Sequence, residues 1–156
     1  MKILLAVDDD AASYEAALVV ADWFDDETSV VALHVGSITL PASLTTPVVM
    51  GGLGYPIVSL PALKEERREV FRQAREIAEN AAAVTDGSPR TEAGDPAEKI
   101  VDVAVEIDAD LIVVGTGDRS WLSRVVSPSV SEEVIHHAPC PVLVVRPADT
   151  RRSEVS

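Results

Sequence analysis

The chain has 156 residues, a length suited to one domain with a real core, and its 47% hydrophobic content places it outside the disordered class. A net charge of −13 opposes binding to nucleic-acid phosphates and anionic lipid, so neither nucleic acid nor membrane is an expected partner. The single cysteine, Cys140, allows no internal disulfide, and no stretch reads as a signal peptide or membrane span, so the expected location is the cytoplasm.

The first element, Lys2 to Val7 (KILLAV), is a continuous apolar run, the pattern of a strand buried on both faces. A helix follows, with Tyr14, Ala17, Leu18 and Ala21 expected on its buried face. Val30 to Val35 (VVALHV) repeats the strand pattern. From Ser37 through Leu63 there is no charged residue, although 25% of the chain is charged. Its four prolines and three glycines argue against a long helix or a membrane span. An uncharged loop of this length reads as a lid, a subunit contact or a satellite core on its own domain.

A second helix is expected with Leu63, Val70, Ala74, Ile77 and Ala81 on one face. Pro89 to Ala93 is short and polar enough for an edge strand. Ala97, Ile100, Val101 and Ala104 line a third helix, and Val130, Val134 and Ala138 a fourth. Asp110 to Gly115 (DLIVVG) and Pro141 to Arg146 (PVLVVR) are two further buried strands. The β-α alternation argues a mainly parallel sheet with helices on both faces. Ligands bind such sheets beyond the carboxyl ends of the strands, which directs attention to the residues after Val7, Val35 and Gly115.

Three groups of residues there can carry chemistry. Asp8-Asp9-Asp10 follows the first strand; Asp8 stands at the strand tip, while Asp10 or Asp9 suits the cap of a helix starting near Ala11. A phosphoacceptor receiver would need a further acid after the third strand and a lysine after the last. Met50 to Pro56 holds no acid, and Arg146 follows the final strand. The second group is the glycine-bearing run from Gly115 to Ser120 leading to Ser127-Pro128-Ser129-Val130-Ser131, where backbone N–H groups and a helix N-terminus suit phosphate. No Lys-Ser/Thr pair makes it a Walker-type loop. Ser129-x-x-Glu132 also reads as a capping box, which accounts for much of this stretch without a ligand. The third group, His136, His137 and Cys140, reads as a helix end and the turn into the last strand, because neighbouring histidines on a helix point apart.

The run from Ala109 to Arg146 (ADLIVVGTGDRSWLSRVVSPSVSEEVIHHAPCPVLVVR) resembles the C-terminal half of the universal stress protein family. In that family a GADLIVVG-type strand leads to Gly-x-x-Gly, nine residues, Gly-Ser/Thr, a helix and HAPCPVLVVR. The opening KILLAVDDD, the LHV at Leu33 to Val35 and EAGDPAEKI at Glu92 to Ile100 match as well. The expected fold is then a single three-layer doubly wound α/β domain over residues 1–147, with a short polar tail at 148–156. Its five-stranded, mainly parallel sheet has strand order 3-2-1-4-5, with four helices.

The resemblance implies an adenine-nucleotide pocket with candidate contacts Asp8, Val35, Gly115, Gly117, Arg119, Ser129 and Val130. Two of the family's motif glycines are replaced, by Asp118 and Pro128. Asp118 sets a carboxylate where phosphate oxygens would lie, and Pro128 removes a backbone donor. Arg119 and Arg124 can offset part of this. Trp121 stands at a position often glycine in the family. The implied cofactor is ATP or another adenine nucleotide, with Mg²⁺ only if a triphosphate binds. No metal site is expected.

The functional expectation is a non-enzymatic stress-response or signalling homodimer, paired through the last strand (Pro141 to Arg146), with a degenerate nucleotide pocket. The alternative is a slowly hydrolysing ATP-binding switch. No nucleophile–base pair stands out for a true enzyme, and 4% aromatic residues leave few pocket walls. Lys2, Lys64 and Lys99 are the only lysines, the other basic residues being arginine. An acidic, lysine-poor surface is the kind kept soluble in concentrated salt. A melting temperature that climbs with potassium chloride is the expected result, and a flat response would sink the idea.

Overall fold

A computed structural model describes residues 1–36, 60–115 and 130–147, and residues 45–50 and 53–58 by their backbone. In chain order the elements are β1 (Lys2–Val7), α1 (Ala11–Trp23), β2 (Ser29–Gly36), β3 (Thr45–Met50), β4 (Leu53–Val58) and α2 (Leu60–Thr85). They continue with β5 (Ser88–Ala93), α3 (Pro96–Glu106), β6 (Leu111–Gly115), α4 (Val130–His137) and β7 (Val142–Val145).

Five strands form one sheet in the order β5-β2-β1-β6-β7, and every pairing in it is parallel. Counted along that sheet, this is the expected 3-2-1-4-5 arrangement. The apolar strands split their side chains between two cores, as a period of two requires. Ile3, Leu5 and Val7 of β1 join Val30, Ala32 and Val113 beneath α1 and α2. Leu4 and Ala6 join Leu33, Ile112 and Val114 beneath α3 and α4. The chain builds outward from β1 to β2 and β5, then returns across the sheet to β6 and β7. The switch point therefore lies between β1 and β6.

β5 is an edge strand, as its polarity foretold. Arg90 ties it to α3 by reaching Glu92 and Glu106, each at 2.7 Å. α3 is capped by the Asp95 carboxylate, which accepts from the Glu98 N–H at 3.0 Å, with Pro96 in the first turn where no N–H is needed.

Two expectations need correction. The buried face of α1 is Ala12, Ser13, Ala16, Ala17 and Val20. Of the expected face only Ala17 is buried; Tyr14 is 59% and Leu18 39% exposed, and Ala21 is exposed too. This helix is apolar almost all round, so periodicity did not single out a face; close approach to the sheet selected the small residues. The second correction concerns Ser37 to Leu63, which is not loop throughout. β3 and β4 pair antiparallel as a separate two-stranded sheet, with Pro47 opposite Pro56, and α2 begins at Leu60. Prolines are tolerated because each strand of a two-stranded sheet has one free edge. Among the described residues, no helix is long and apolar enough to cross a membrane.

Candidate functional site

The carboxyl edge of the sheet brings Asp8, Val35, Gly115 and Val130 to one side of the molecule. Val7 is in register with His34 and Ala6 with Val114, so Asp8 is level with Val35, and Gly115 with Val7. Val35 and Val130 are half-buried against the core under α3 and α4.

Asp8 is held by local geometry. Its Oδ1 accepts from the Ser13 hydroxyl at 2.7 Å and from the Asp10 N–H at 2.9 Å, while the Asp8 N–H donates to Ser13 Oγ at 2.9 Å. Asp8 Oδ2 takes no hydrogen bond among the described residues. Burial pushes the Asp8 carboxyl above its ordinary value. The Ser13 and Asp10 hydrogen bonds pull the other way, and the charges of Asp10 and Asp9 add to the rise. Beside it, His34 Nδ1 lies 2.8 Å from the Val7 carbonyl oxygen. A carbonyl only accepts, so Nδ1 carries the hydrogen.

Gly115 ends β6 against the first turn of α1. A Cβ there would fall onto the Ala12 carbonyl and lie 2.8 Å from the Ser13 nitrogen. Its glycine is required by packing, whatever binds nearby. Asp10 caps α1, accepting from the Ala12 N–H at 3.4 Å, and its Oδ2 is buried with no partner. Carboxylates thus stand at both helix starts flanking the switch point, Asp10 at the cap of α1 and Glu132 and Glu133 in the first turn of α4. Ser131 stands in the first turn of α4, 5% exposed, and its hydroxyl has no hydrogen-bond partner.

Gly117, Asp118, Arg119, Trp121, Arg124, Pro128 and Ser129 lie outside the described residues. Away from the edge, His137 Nδ1 pairs with the Glu133 carbonyl at 2.9 Å and His136 is exposed. The Cys140 thiol is pushed up by burial and by the charge of Asp110, which disfavours the thiolate.

A family model described as the universal stress protein family matches residues 1–146. The chain belongs to that family. A universal stress protein of Methanocaldococcus jannaschii is 35% identical over 158 residues, covering 93% of this chain and 81% of that protein. Among solved structures, a family protein from Arabidopsis thaliana with AMP bound is 17% identical, with a TM-score of 0.62, covering 100% of this chain and 97% of that one. The universal stress protein of Archaeoglobus fulgidus in complex with dAMP is 23% identical, with a TM-score of 0.53, covering 93% and 97%.

The described residues of this universal stress protein fit a nucleoside-type group. Asp8 Oδ2, unpaired among the described residues, can accept from a ligand's N–H or O–H, and the unpartnered Ser131 hydroxyl is a buried donor at a helix N-terminus. Two residues that order this edge, Ser13 and His34, were not singled out from the sequence, and Ser131 was named only as the end of the phosphate-loop stretch, with no role of its own. Ser13 and Ser131 are hydroxyls on otherwise apolar buried helix faces, and His34 is a polar break in VVALHV. Those were the available signals.

Proposed function

We propose that this universal stress protein is a non-enzymatic stress-response or signalling protein that binds an adenine nucleoside or nucleoside monophosphate at the carboxyl edge of its sheet. The observation that carries the reading is Asp8, pinned through one carboxylate oxygen with the other unpaired among the described residues. Family members seen with AMP and dAMP agree with that ligand class. Asp118 and Pro128, standing in place of motif glycines, weigh against tight binding of a triphosphate, and Mg²⁺ enters only with one. The hydroxyl–carboxylate pair at the edge, Ser13 with Asp8, offers no nucleophile, because Ser13 is 5% exposed.

Thermal melting with added AMP, or with ATP and Mg²⁺, tests the reading. Ligand at about 100 times its Kd stabilises by about 2.7 kcal/mol, a rise of roughly 5–10 °C for a chain of this size. AMP should give such a rise and ATP no more than AMP. No shift at millimolar AMP removes the reading, and a larger shift with ATP favours the switch. Mass spectrometry of small molecules released from the purified protein identifies the occupant directly.

The same reading makes the protein a cytoplasmic homodimer paired through β7. The Ile112 N–H donates to the Pro141 carbonyl, so by alternation the backbone groups of Val142 and Val144 point away from β6. β7 is thus a short apolar edge with open donors and acceptors, suited to a second copy. V144P removes one outward N–H without touching the β6 ladder. It should convert a dimer to a folded monomer at micromolar concentration in sedimentation, and a wild-type monomer there ends the dimer reading.

A further inference from the structure

A buried hydroxyl links α1 to the carboxyl edge. Ser13 is 5% exposed on the sheet-facing side of α1. It receives the Asp8 N–H at 2.9 Å and gives its only hydrogen to Asp8 Oδ1 at 2.7 Å. Because a hydroxyl has one hydrogen, this leaves its rotor a single setting. The Asp10 N–H, at 2.9 Å, lands on the same oxygen. Two donors on Oδ1 fix the plane of the carboxyl and turn Oδ2 away from both.

We propose that Ser13 is the positioning residue of the Asp8 site: its hydroxyl aims Oδ2 outward and keeps Asp8 an acceptor, so that the site selects ligands bringing an N–H or O–H. The inference rests on the nucleoside reading for its ligand, and on the three hydrogen bonds alone for its geometry. Ser13 touches no ligand and acts through Asp8. A carboxylate accepts only, whereas a protonated carboxyl presents a hydrogen, which would repel a donor on the ligand. The Ser13 hydroxyl is also the strongest influence opposing the effect of burial on Asp8. Losing it moves the site toward the protonated state.

The test follows the Asp8 side-chain carboxyl by NMR titration in the wild type and in S13A, and measures adenosine affinity against pH by calorimetry. In S13A the Asp8 midpoint should move up. Adenosine affinity at neutral pH should fall about tenfold or more, the scale of a hydrogen bond to a charged group. The pH at which affinity is half lost should move up with the Asp8 midpoint. If Ser13 merely ties the β1–α1 turn together, S13A melts lower but both midpoints stay where they were, and the proposal is overturned. Should S13A fail to fold, S13C offers a similar shape with a weak donor, and its midpoint should fall above the wild-type value. If the wild type binds no adenosine, the nucleoside reading fails separately, and the Asp8 titration decides the role of Ser13.

Discussion

Replacing Gly115 with alanine is expected to lower the melting temperature by roughly 6–12 °C, from an overpacking cost of about 3 kcal/mol. The new Cβ would meet the carbonyl carbon and oxygen of Ala12 and the nitrogen of Ser13, all backbone atoms. A flexible side chain could swing aside; the first turn of α1 cannot, because Asp10 caps it and Gly115 itself is anchored in β6. Alanine reduces the entropy of the unfolded chain by less than 1 kcal/mol or so, too little to offset the clash. The strain has a functional consequence, since Ser13 is the residue that holds Asp8. G115A should therefore also weaken adenosine binding. Thermal melting followed by circular dichroism checks the first effect, and a change of under about 1 °C would show that the strand and helix are not as close as described.

The second large effect is expected at Asp8, where stability and binding move in opposite directions. Its folded-state pKa lies above the ordinary value of 3.8, chiefly through burial. A raised carboxyl means that folding favours the protonated form. The associated stability is full below 3.8 and is lost as pH rises through the raised value, so ionised Asp8 is a net cost at neutral pH. Asp8→Asn keeps an oxygen to accept from Ser13 Oγ and the Asp10 N–H, and removes the repulsion from Asp9 and Asp10. D8N should melt above the wild type at pH 7, and the gap should close as pH falls toward 3.8. Binding should suffer. With the amide oxygen turned to Ser13, the NH₂ faces the ligand's own donor, and affinity for adenosine should fall about tenfold to a hundredfold. A D8N protein that melts lower at pH 7 and binds adenosine as well as the wild type would show that Asp8 is a structural cap and nothing more. The trade is the usual one at a binding site, where a residue held ready for ligand is strained without it.

How much of this could be read beforehand differs from element to element. β1, β2 and β6 were legible because burial on both faces demands continuous apolar runs, and KILLAV, VVALHV and LIVVG are such runs; VLVV was expected to be buried likewise, but β7 is an edge strand in which only Val145 is buried. β5 was legible as an edge because Arg90 and Glu92 can keep company with water and α3. The face of α1 was not. Alanine, leucine, valine and tyrosine are spread around it, and the side that turned inward, Ala12, Ser13, Ala16, Ala17 and Val20, was set by packing on the sheet, where Gly115 approaches Ala12 and Ser13. The β3–β4 hairpin was hidden by Pro47 and Pro56, which argue against a strand unless the pair has free edges.

At the site, Asp8 was found by an argument about position: a polar residue at the tip of the first strand beside a switch point. The partners of its neighbourhood were out of reach of that argument. Ser13 is five residues from Asp8, and His34 is 27 from Val7; neither spacing belongs to a short motif. The unpartnered hydroxyl of Ser131 cannot be distinguished in sequence from a serine bonded to its own helix.

By itself, then, the amino-acid order determined the alternation of strands and helices and, through its motifs, the family and the strand order that the family resemblance implies. These follow from burial patterns and local motifs that are properties of short segments. Only the tertiary structure decided which face of α1 is buried, why Gly115 is glycine, and that Asp8 is fastened by one oxygen with the other unpaired among the described residues. Those facts depend on distances between backbone and side-chain atoms of different elements, and such distances exist only once β1, β6 and α1 have packed together.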